Sequence, residues 1–380
     1  MDVVNVLVLN CGSSSLKFQL LAMPAEQRLA RGVVERIDGE YVDAVQRALE
    51  EAMRAGTRVD AVGHRIVHGG HRFTEAVVID DEVTAALDAL ADLAPLHNGP
   101  GVAGIRAARA VLEARVPMVA AFDTTFHVTM PPRAARYALP YEIAERHHVR
   151  RYGFHGLSYR YVTGRYASLT STPVSRATFV ALHLGNGCSA VAVRHGASVD
   201  TSMGFTPLEG LVMGTRAGDV DPSVIGHLAR AEKVPEAEVE SWLNERSGLL
   251  GVSGRSGDMR DLLASEANDA RAALAVDLFC YRARKYVGAY LAALGGAQAV
   301  VFTGGIGEHN PEVRRRICED MAWCGLTLDE RRNRATVGTE GVISADGAAV
   351  TAFVIPTDEE LIIARDVMEC LARATSRSVP

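Results

Sequence analysis

Three cationic side chains lie in glycine-rich loops, where they could bind or transfer an anionic group. Arg65 lies in the stretch GHRIVHGG at residues 63–70, and His155 and Arg216 are each framed by glycines in loops of their own. An arginine can grip a carboxylate or a phosphate with two hydrogen bonds. Donors such as His155 and Arg216 can stabilise charge that develops on a phosphoryl group as it passes between oxygens. The chemistry indicated is the handling of a carboxylate and a phosphate.

Arg65 and His155 also have structural interpretations. Arg65 could pair with an acid of the core, and a lone histidine is commonly a hydrogen-bonded structural residue. His64 and His68 are four residues apart, but the neighbouring glycines argue against a metal-binding helix, so we interpret both as structural or supporting residues.

An acid follows an apolar segment directly at Asp123, in the sequence AAFDTTFH at residues 120–127. The end of a parallel strand opens on a cleft, where a carboxylate could orient an acceptor or balance magnesium. The alternative for Asp123 is a helix N-cap.

Two loops of small residues each join a pair of apolar segments. The first, NCGSSS at residues 10–15, separates predicted strands at residues 3–9 and 16–21. The second, GNG at residues 185–187, separates predicted strands at residues 178–184 and 188–193. Glycine lets a backbone approach phosphate, and serine hydroxyls and N–H groups can point inward. Lys17 follows the first loop and could neutralise phosphate oxygens; alternatively, it is a solvated strand lysine.

Other nucleotide-binding and covalent motifs are missing. GxxxxGK[ST] does not occur, protein-kinase motifs are absent, and the first loop leads into a strand rather than the helix of a Rossmann unit. No Ser-His-Asp order or GxSxG motif supplies a nucleophile. Positioning, magnesium and cations suffice for phosphoryl transfer, so direct transfer fits these residues.

Apolar strands alternate with amphipathic segments along the rest of the chain, which predicts an α/β fold. Helical patterns cover residues 81–93, 102–114 and 272–294, and the last ends at Gly295. A strand at 299–303 runs into a glycine-rich loop at 304–308, and a strand at 349–356 precedes a final helix at 361–372. The recurring strand-loop-strand pattern suggests two related domains.

Composition favours a soluble cytoplasmic protein with a small-molecule partner. The 40 basic and 46 acidic residues give a net charge of −6, so neither a nucleic acid nor a membrane surface is the expected partner. Six cysteines without CxxC pairs argue against zinc or a disulfide framework. A signal peptide is not expected, and no segment reaches the roughly 18 apolar residues of a membrane span.

Five motifs in order resemble the acetate kinase family over residues 3 to about 366. They are NCGSSSLK at residues 10–17, GHRIVHGG at 63–70, YGFHG at 152–156, HLGNG at 183–187 and TPLEGLVMGTR at 206–216. The resemblance implies an α/β, duplicated actin-like (ribonuclease H-like) fold with a nucleotide cleft between two domains. It places residues 1–127 and 361–380 in the first domain, and residues 128–360 in a second, nucleotide-binding and dimerising domain.

The resemblance also implies a magnesium-dependent, reversible transfer from ATP to acetate, giving acetyl phosphate and ADP, in a cytoplasmic homodimer; Mn²⁺ is an alternative ion. Asp123, His155 and Arg216 would be catalytic, and Arg65 would hold the acetate carboxylate. The magnesium ligands would be Asn10 and Glu359. The nucleotide-binding residues would be Lys17, His183, Leu184, Gly185, Asn186, Gly187, Asp258, Met259, Arg260, Gly304, Gly305, Ile306, Gly307 and Glu308.

Three residues depart from the family pattern. Met259 stands where an aromatic or other large apolar residue is common, His309 stands where asparagine is usual, and Gly99 replaces a proline. Val67, Leu96 and Pro207 are candidates for the acceptor pocket. One methylene is worth only about 1 to 3 kcal/mol in an apolar pocket, so propionate kinase is the near alternative. A non-catalytic actin-like nucleotide switch is the alternative from another class.

Overall fold

The computed structural model describes residues 3–37, 39–54, 56–90 and 95–377. The chain divides into two compact units, and their segments alternate along the sequence. Unit 1 comprises Met1–Val128, Gly156–Tyr161 and Asp358–Pro380, and unit 2 comprises Thr129–His155 and Val162–Thr357.

Each unit has one six-stranded sheet among the described residues. The strands of unit 1 are Val4–Cys11 (β1), Ser15–Met23 (β2), Gln27–Glu35 (β3), Ala61–Ile66 (β4), Val77–Val78 (β5) and Met118–Phe122 (β6). Those of unit 2 are Phe179–Leu184 (β7), Cys188–Arg194 (β8), Ala197–Thr201 (β9), Ala299–Thr303 (β10), Gly341–Val342 (β11) and Thr351–Val354 (β12).

The two sheets have the same topology. In unit 1, β1 to β3 form an antiparallel meander, β4 pairs parallel with β1, β6 pairs parallel with β4, and β5 is antiparallel to β6. The order is β3-β2-β1-β4-β6-β5, and unit 2 repeats it as β9-β8-β7-β10-β12-β11 with the same directions. The predicted α/β, duplicated actin-like fold is confirmed.

Helices occupy most of the remaining described residues. The α-helices are Tyr41–Ala52 (α1), Asp81–Ala89 (α2), Pro95–Val111 (α3), Pro132–Ala135 (α4), Tyr141–Arg146 (α5), Gly156–Thr170 (α6), Ser223–Glu232 (α7), Glu236–Glu245 (α8), Gly248–Ser253 (α9), Met259–Ser265 (α10), Ala270–Leu294 (α11), Gly304–His309 (α12), Pro311–Cys318 (α13), Glu330–Ala335 (α14) and Glu359–Arg377 (α15). Short 3₁₀ helices cover Asp123–His127, Val174–Arg176 and Ala322–Cys324. Among the described helices, none combines the length and the hydropathy needed to cross a membrane.

The sheet of unit 1 is covered on both faces, and residue alternation along β1 shows how. Leu7 and Leu9 join a core built with α1, α2 and α3. Val6 and Val8 join a second core, which includes Ile363 of α15. Because successive strand residues point to opposite faces, the continuous apolar run predicted at residues 3–9 fills two cores at once.

Most predicted elements lie within a few residues of the observed ones, but the run GGIGE at residues 304–308 was wrongly predicted to be a loop. It forms the first five residues of α12. Glycine usually weakens a helix, but here the Glu308 carboxylate accepts a hydrogen bond from the Gly304 N–H (2.8 Å) and so caps the first turn.

Candidate functional site

In unit 1, neighbouring parallel strands bring Arg65 and Asp123 together. Arg65 lies near the end of β4, opposite Ala121 of β6, and Asp123 follows β6 directly. The Arg65 Nε atom donates to Asp123 Oδ1 (3.0 Å), and Nη2 donates to Oδ2 (2.6 Å). The pairing with a buried acid that the sequence left open is therefore present, in a bidentate form that fixes the plane of the guanidinium.

Three further predicted residues surround this pair. Asn10 Oδ1 lies 3.4 Å from Arg65 Nη1, and Glu359 Oε2 lies 3.6 Å from Arg65 Nε. Lys17 is the cross-strand partner of Asn10 in the β1–β2 hairpin and interacts electrostatically with Glu359. The five residues predicted in unit 1 thus form one polar cluster at the ends of β1, β4 and β6 and at the start of α15.

The cluster is largely buried, and burial controls its charges. Asp123 is 1% exposed and Arg65 is 18% exposed. Burial alone would lower the pKa of Arg65, but the Asp123 and Glu359 carboxylates offset this and raise it, so the guanidinium stays charged. Burial raises the pKa of Glu359, against the opposing effect of Arg65 and with reinforcement from Asp123 and Glu360.

The donor atoms of this cluster fit a magnesium ion. Among the described residues, no group of three or more His, Cys, Asp or Glu side chains could hold a metal ion by itself. Magnesium, however, commonly binds one or two protein oxygens and completes its shell with water and substrate phosphates. Asn10 Oδ1 and the Glu359 carboxylate can supply those two oxygens.

In unit 2, two predicted donors converge on Gly187 in the β7–β8 turn. A Cβ atom added at Gly187 would lie 3.4 Å from His155 Nε2 and 3.7 Å from Arg216 Nη1, so only glycine leaves this space open. The His155 ring stacks on His183 with centroids 4.1 Å apart, and its Nδ1 lies 2.8 Å from Ser189 Oγ. His155 Nε2 and the Arg216 guanidinium can therefore act on the same group.

The Arg216 guanidinium is anchored to the backbone of a neighbouring loop. Its Nη1 donates to the Pro207 carbonyl oxygen (3.2 Å), and burial lowers its pKa. A partly desolvated cation of this kind interacts strongly with an anion that reaches it.

A pocket of about 560 Å³ opens in unit 2. Its lining contains seven of the predicted nucleotide-binding residues, which are Gly185, Asn186, Asp258, Met259, Arg260, Gly305 and Ile306. Gly257, His309 and Asn310 complete the lining. Pockets for small ligands typically enclose about 300 to 1,000 Å³. The additional residues each adjoin a predicted motif in the sequence, which is the signal that could have found them.

The other predicted nucleotide-binding residues of unit 2 lie elsewhere. His183 and Gly187 adjoin His155, and Leu184 is fully buried in β7. Gly304 and Gly307 are buried in α12. The Glu308 carboxylate accepts hydrogen bonds from the N–H groups of Gly304 and Thr357, so its contacts are internal.

The candidates for an acceptor pocket are only partly described. Val67 follows β4 and is half-buried, and the Pro207 carbonyl oxygen contacts Arg216. The side chain of Leu96 lies outside the described residues.

Comparisons with known proteins agree over nearly the whole chain. The Acetokinase family profile matches residues 5–52 and 40–365. An acetate kinase from Solibacter usitatus (strain Ellin6076) is 48% identical over 407 residues, covering 97% of this chain and 98% of that protein.

Solved structures give the same result. Porphyromonas gingivalis acetate kinase is 42% identical with a TM-score of 0.90, over 97% of this chain and 100% of that one. A propionate kinase from Francisella tularensis subsp. tularensis SCHU S4 is 37% identical, also with a TM-score of 0.90, over 96% of this chain and 99% of that one. The chain belongs to the acetokinase family.

Proposed function

We propose that this protein is an acetate kinase, a phosphotransferase that moves the terminal phosphoryl group of ATP reversibly to acetate. The observation that carries the proposal is the cluster of Arg65, Asp123, Asn10 and Glu359. The cluster combines a cation that can bind a carboxylate with oxygen atoms that can bind magnesium. Relatives that are 48% to 44% identical over nearly their full length are named acetate kinases.

On the acceptor side, Arg65 would bind the acetate carboxylate. Asp123 occupies Nε and Nη2 of the guanidinium, which leaves the Nη1 edge, near Asn10, to face a substrate. In this role Asp123 orients Arg65 and balances its charge, so that the acceptor oxygen meets a fixed donor rather than a mobile one.

On the nucleotide side, Asn10 and Glu359 would hold magnesium, which when bound neutralises charge on the phosphate oxygens. Lys17 would add a further positive charge. His155 and Arg216 would donate to the phosphoryl oxygens during direct in-line transfer, and no covalent enzyme intermediate is required.

The unit 2 pocket would bind the nucleotide. Its volume suits a ligand of this size, and Gly185, Gly257 and Gly305 expose backbone on its walls. Met259 and Ile306 add apolar surface for a base. ATP and ADP are the nucleotides that we propose.

Propionate kinase is the second candidate, because the Francisella tularensis protein matches this chain with a TM-score of 0.90. A longer acyl chain changes only apolar contacts, so the two activities differ by a modest binding energy. A nucleotide switch fits less well, since it has no need of the Arg65–Asp123 pair.

The test is to trap acyl phosphate with hydroxylamine. Purified protein with magnesium and ATP is supplied with acetate, propionate or butyrate, and one tube contains no acid. We expect hydroxamate in amounts that depend on the acid and are largest with acetate. Equal ADP release in every tube without hydroxamate would contradict the proposal and favour the switch.

We further propose that the enzyme is a cytoplasmic homodimer, as its family resemblance implies. Light scattering on the 40.7 kDa chain tests the assembly, since a dimer has twice that mass. Activity lost with a chelator and restored by Mg²⁺ or Mn²⁺ tests the metal.

A further inference from the structure

Arg314 on α13 is fully buried and has no carboxylate partner among the described residues. Its guanidinium donates to the carbonyl oxygens of Gly307 (2.8 Å), Glu308 (3.1 Å), Asn333 (2.7 Å) and Thr336 (2.6 Å). Nε donates to Asn333 Oδ1 (2.8 Å). All five contacts are with neutral acceptors.

A buried charge is costly unless hydrogen bonds replace its water. Burial lowers the pKa of Arg314 to about 10, which still leaves the guanidinium charged at neutral pH. An arginine is suited to this position because its planar fork can bind several acceptors at fixed angles, whereas lysine offers only three donors on a single nitrogen.

Two of the acceptors belong to α12, the helix whose other residues form part of the wall of the unit 2 pocket. Gly307 and Glu308 lie in α12, and Gly305, Ile306 and His309 of the same helix line the pocket. A six-residue helix leaves most of its carbonyl oxygens without helical partners. Arg314 satisfies two of them and so fixes the end of α12 that carries His309.

The other acceptors belong to the segment behind His309. Asn333 lies near the C-terminal end of α14, and Thr336 follows that helix, two residues before Gly338. Gly338 donates its N–H to the Glu308 carbonyl oxygen (3.0 Å), and a Cβ atom at this position would collide with the His309 ring. Arg314 therefore joins the helix that forms the pocket wall to the backbone that supports His309.

We propose that Arg314 is a positioning residue for nucleotide binding, which acts through the carbonyl oxygens of α12 and sets the position of Ile306 and His309 in the pocket. It contacts no substrate itself. The inference rests on the proposed function only for the identity of the nucleotide.

The experiment compares Arg314→Lys and Arg314→Met with two controls on the same helix. Arg315→Lys changes a partly exposed arginine that pairs with Glu312. Ile317→Ala opens a cavity in place of a buried apolar side chain and serves as the control for a general loss of stability. Calorimetry measures Kd for magnesium-ADP without acetate, kinetics measure KM for ATP and acetate, and melting temperatures report folding.

We expect Arg314→Lys to raise Kd for magnesium-ADP and KM for ATP about tenfold, with KM for acetate within about twofold of wild type. Arg314→Met has the larger effect, and both controls keep the wild-type Kd. Should the Arg314 variants not fold, Asn333→Ala removes one acceptor of the guanidinium and is expected to weaken nucleotide binding in the same selective way.

Unchanged nucleotide affinity in Arg314→Lys would overturn the inference. So would an equal loss of affinity in Ile317→Ala, or an equal rise in KM for both substrates, because each indicates a general structural role. If wild-type protein binds magnesium-ADP but makes no hydroxamate, the proposed function fails while the Kd comparison still decides the role of Arg314. If wild type does not bind magnesium-ADP, the inference fails as well.

Discussion

The Arg65–Asp123 pair shows how one contact can serve both folding and binding. The sequence left two interpretations of Arg65, a grip for an anion and a partner for a core acid, and the structure realises the second. The two are compatible, because two guanidinium nitrogens hold Asp123 and the third remains near Asn10. Substitutions must therefore be evaluated for stability as well as for kinetics.

Replacing Arg65 tests this dual role. Arg65→Ala leaves the buried Asp123 carboxylate without its main partner, so we expect a loss of about 3 kcal/mol in unfolding free energy. KM for acetate should rise strongly. Arg65→Lys retains the charge without the bidentate geometry, so its stability and its KM for acetate should lie between those of wild type and Arg65→Ala. Urea unfolding and initial rates measure both effects, and wild-type KM in Arg65→Ala would remove Arg65 from the acceptor site.

In our proposal Arg216 stabilises the transition state of phosphoryl transfer, so its loss should lower turnover. Arg216→Ala is expected to lower kcat by about 10²- to 10³-fold, the range found for a donor to developing charge. KM for acetate should change little. Steady-state kinetics check this, with Arg230→Ala, an exposed arginine of unit 2, as the control. A kcat near that of the control would exclude the assigned role.

His64 gives a prediction for the pH dependence of stability. It is 1% exposed, its Nε2 has no hydrogen-bond partner among the described residues, and burial with a contribution from Arg109 lowers its pKa to about 3. Between pH 6.5 and 3 the unfolded chain therefore binds a proton that the folded chain does not. The contribution of neutral His64 to the free energy of unfolding is fully present above pH 6.5. It falls as the pH drops, by up to about 1.4 kcal/mol per pH unit.

The substitution His64→Leu removes this proton-linked contribution. We expect its urea midpoint to fall less than that of wild type between pH 6.5 and 4, while acid titration of the other groups affects both proteins alike. Parallel curves for the two proteins would show that His64 is not held neutral by the fold.

At the scale of single elements, the ends of helices depend on individual side chains. The sequence predicted α11 over residues 272–294 with a glycine cap, and the observed helix is Ala270–Leu294 with Gly295 in the left-handed region at φ 66°. This helix end could be predicted from the sequence because the capping glycine directly follows the helix. The helical start of α12 depends instead on Glu308, whose cap forms only once the chain has turned.

Two glycines of α11 and its cap form a matched pair. Gly288 lies within the helix and Gly295 follows it, and a Cβ atom at either meets nothing within 4 Å. Gly288→Ala should stabilise the protein by about 0.5 to 1 kcal/mol through helix propensity. Gly295→Ala should destabilise it by about 1 to 2 kcal/mol because of its left-handed backbone. Urea unfolding of both variants tests the signs, and equal effects would contradict the assigned cap.

At the scale of the whole molecule, one topology is used twice with different chemistry. The β1–β2 hairpin of unit 1 presents Asn10 and Lys17, and the corresponding β7–β8 hairpin of unit 2 presents His183 and Gly187. Unit 1 adds the Arg65–Asp123 pair, whereas unit 2 adds the pocket. Duplication therefore supplied two similar hairpins whose side chains have diverged.

Hydrogen exchange on the intact protein can locate the nucleotide. With magnesium-ADP we expect slower exchange at residues 257–260, which line the pocket, in α12 and Asn310, which supply another part of its wall, and in the β7–β8 turn. The segment at residues 223–232, which forms α7 and contributes no residue to the lining of the pocket, should change little and serves as the internal reference. Protection spread evenly over both segments would contradict the assignment of the pocket.

The sequence alone determined the strands, the long helices and the family, because these depend on local periodicity and on motifs whose residues are near neighbours. Asp123 could be identified as an acid after a strand, but its pairing with Arg65 required β4 and β6 to be adjacent. Arg314 carried no signal, since its acceptors come from α12, α14 and the loop that follows them. Tertiary structure decided these contacts because residues distant in sequence meet only after the sheet and its covering helices have packed.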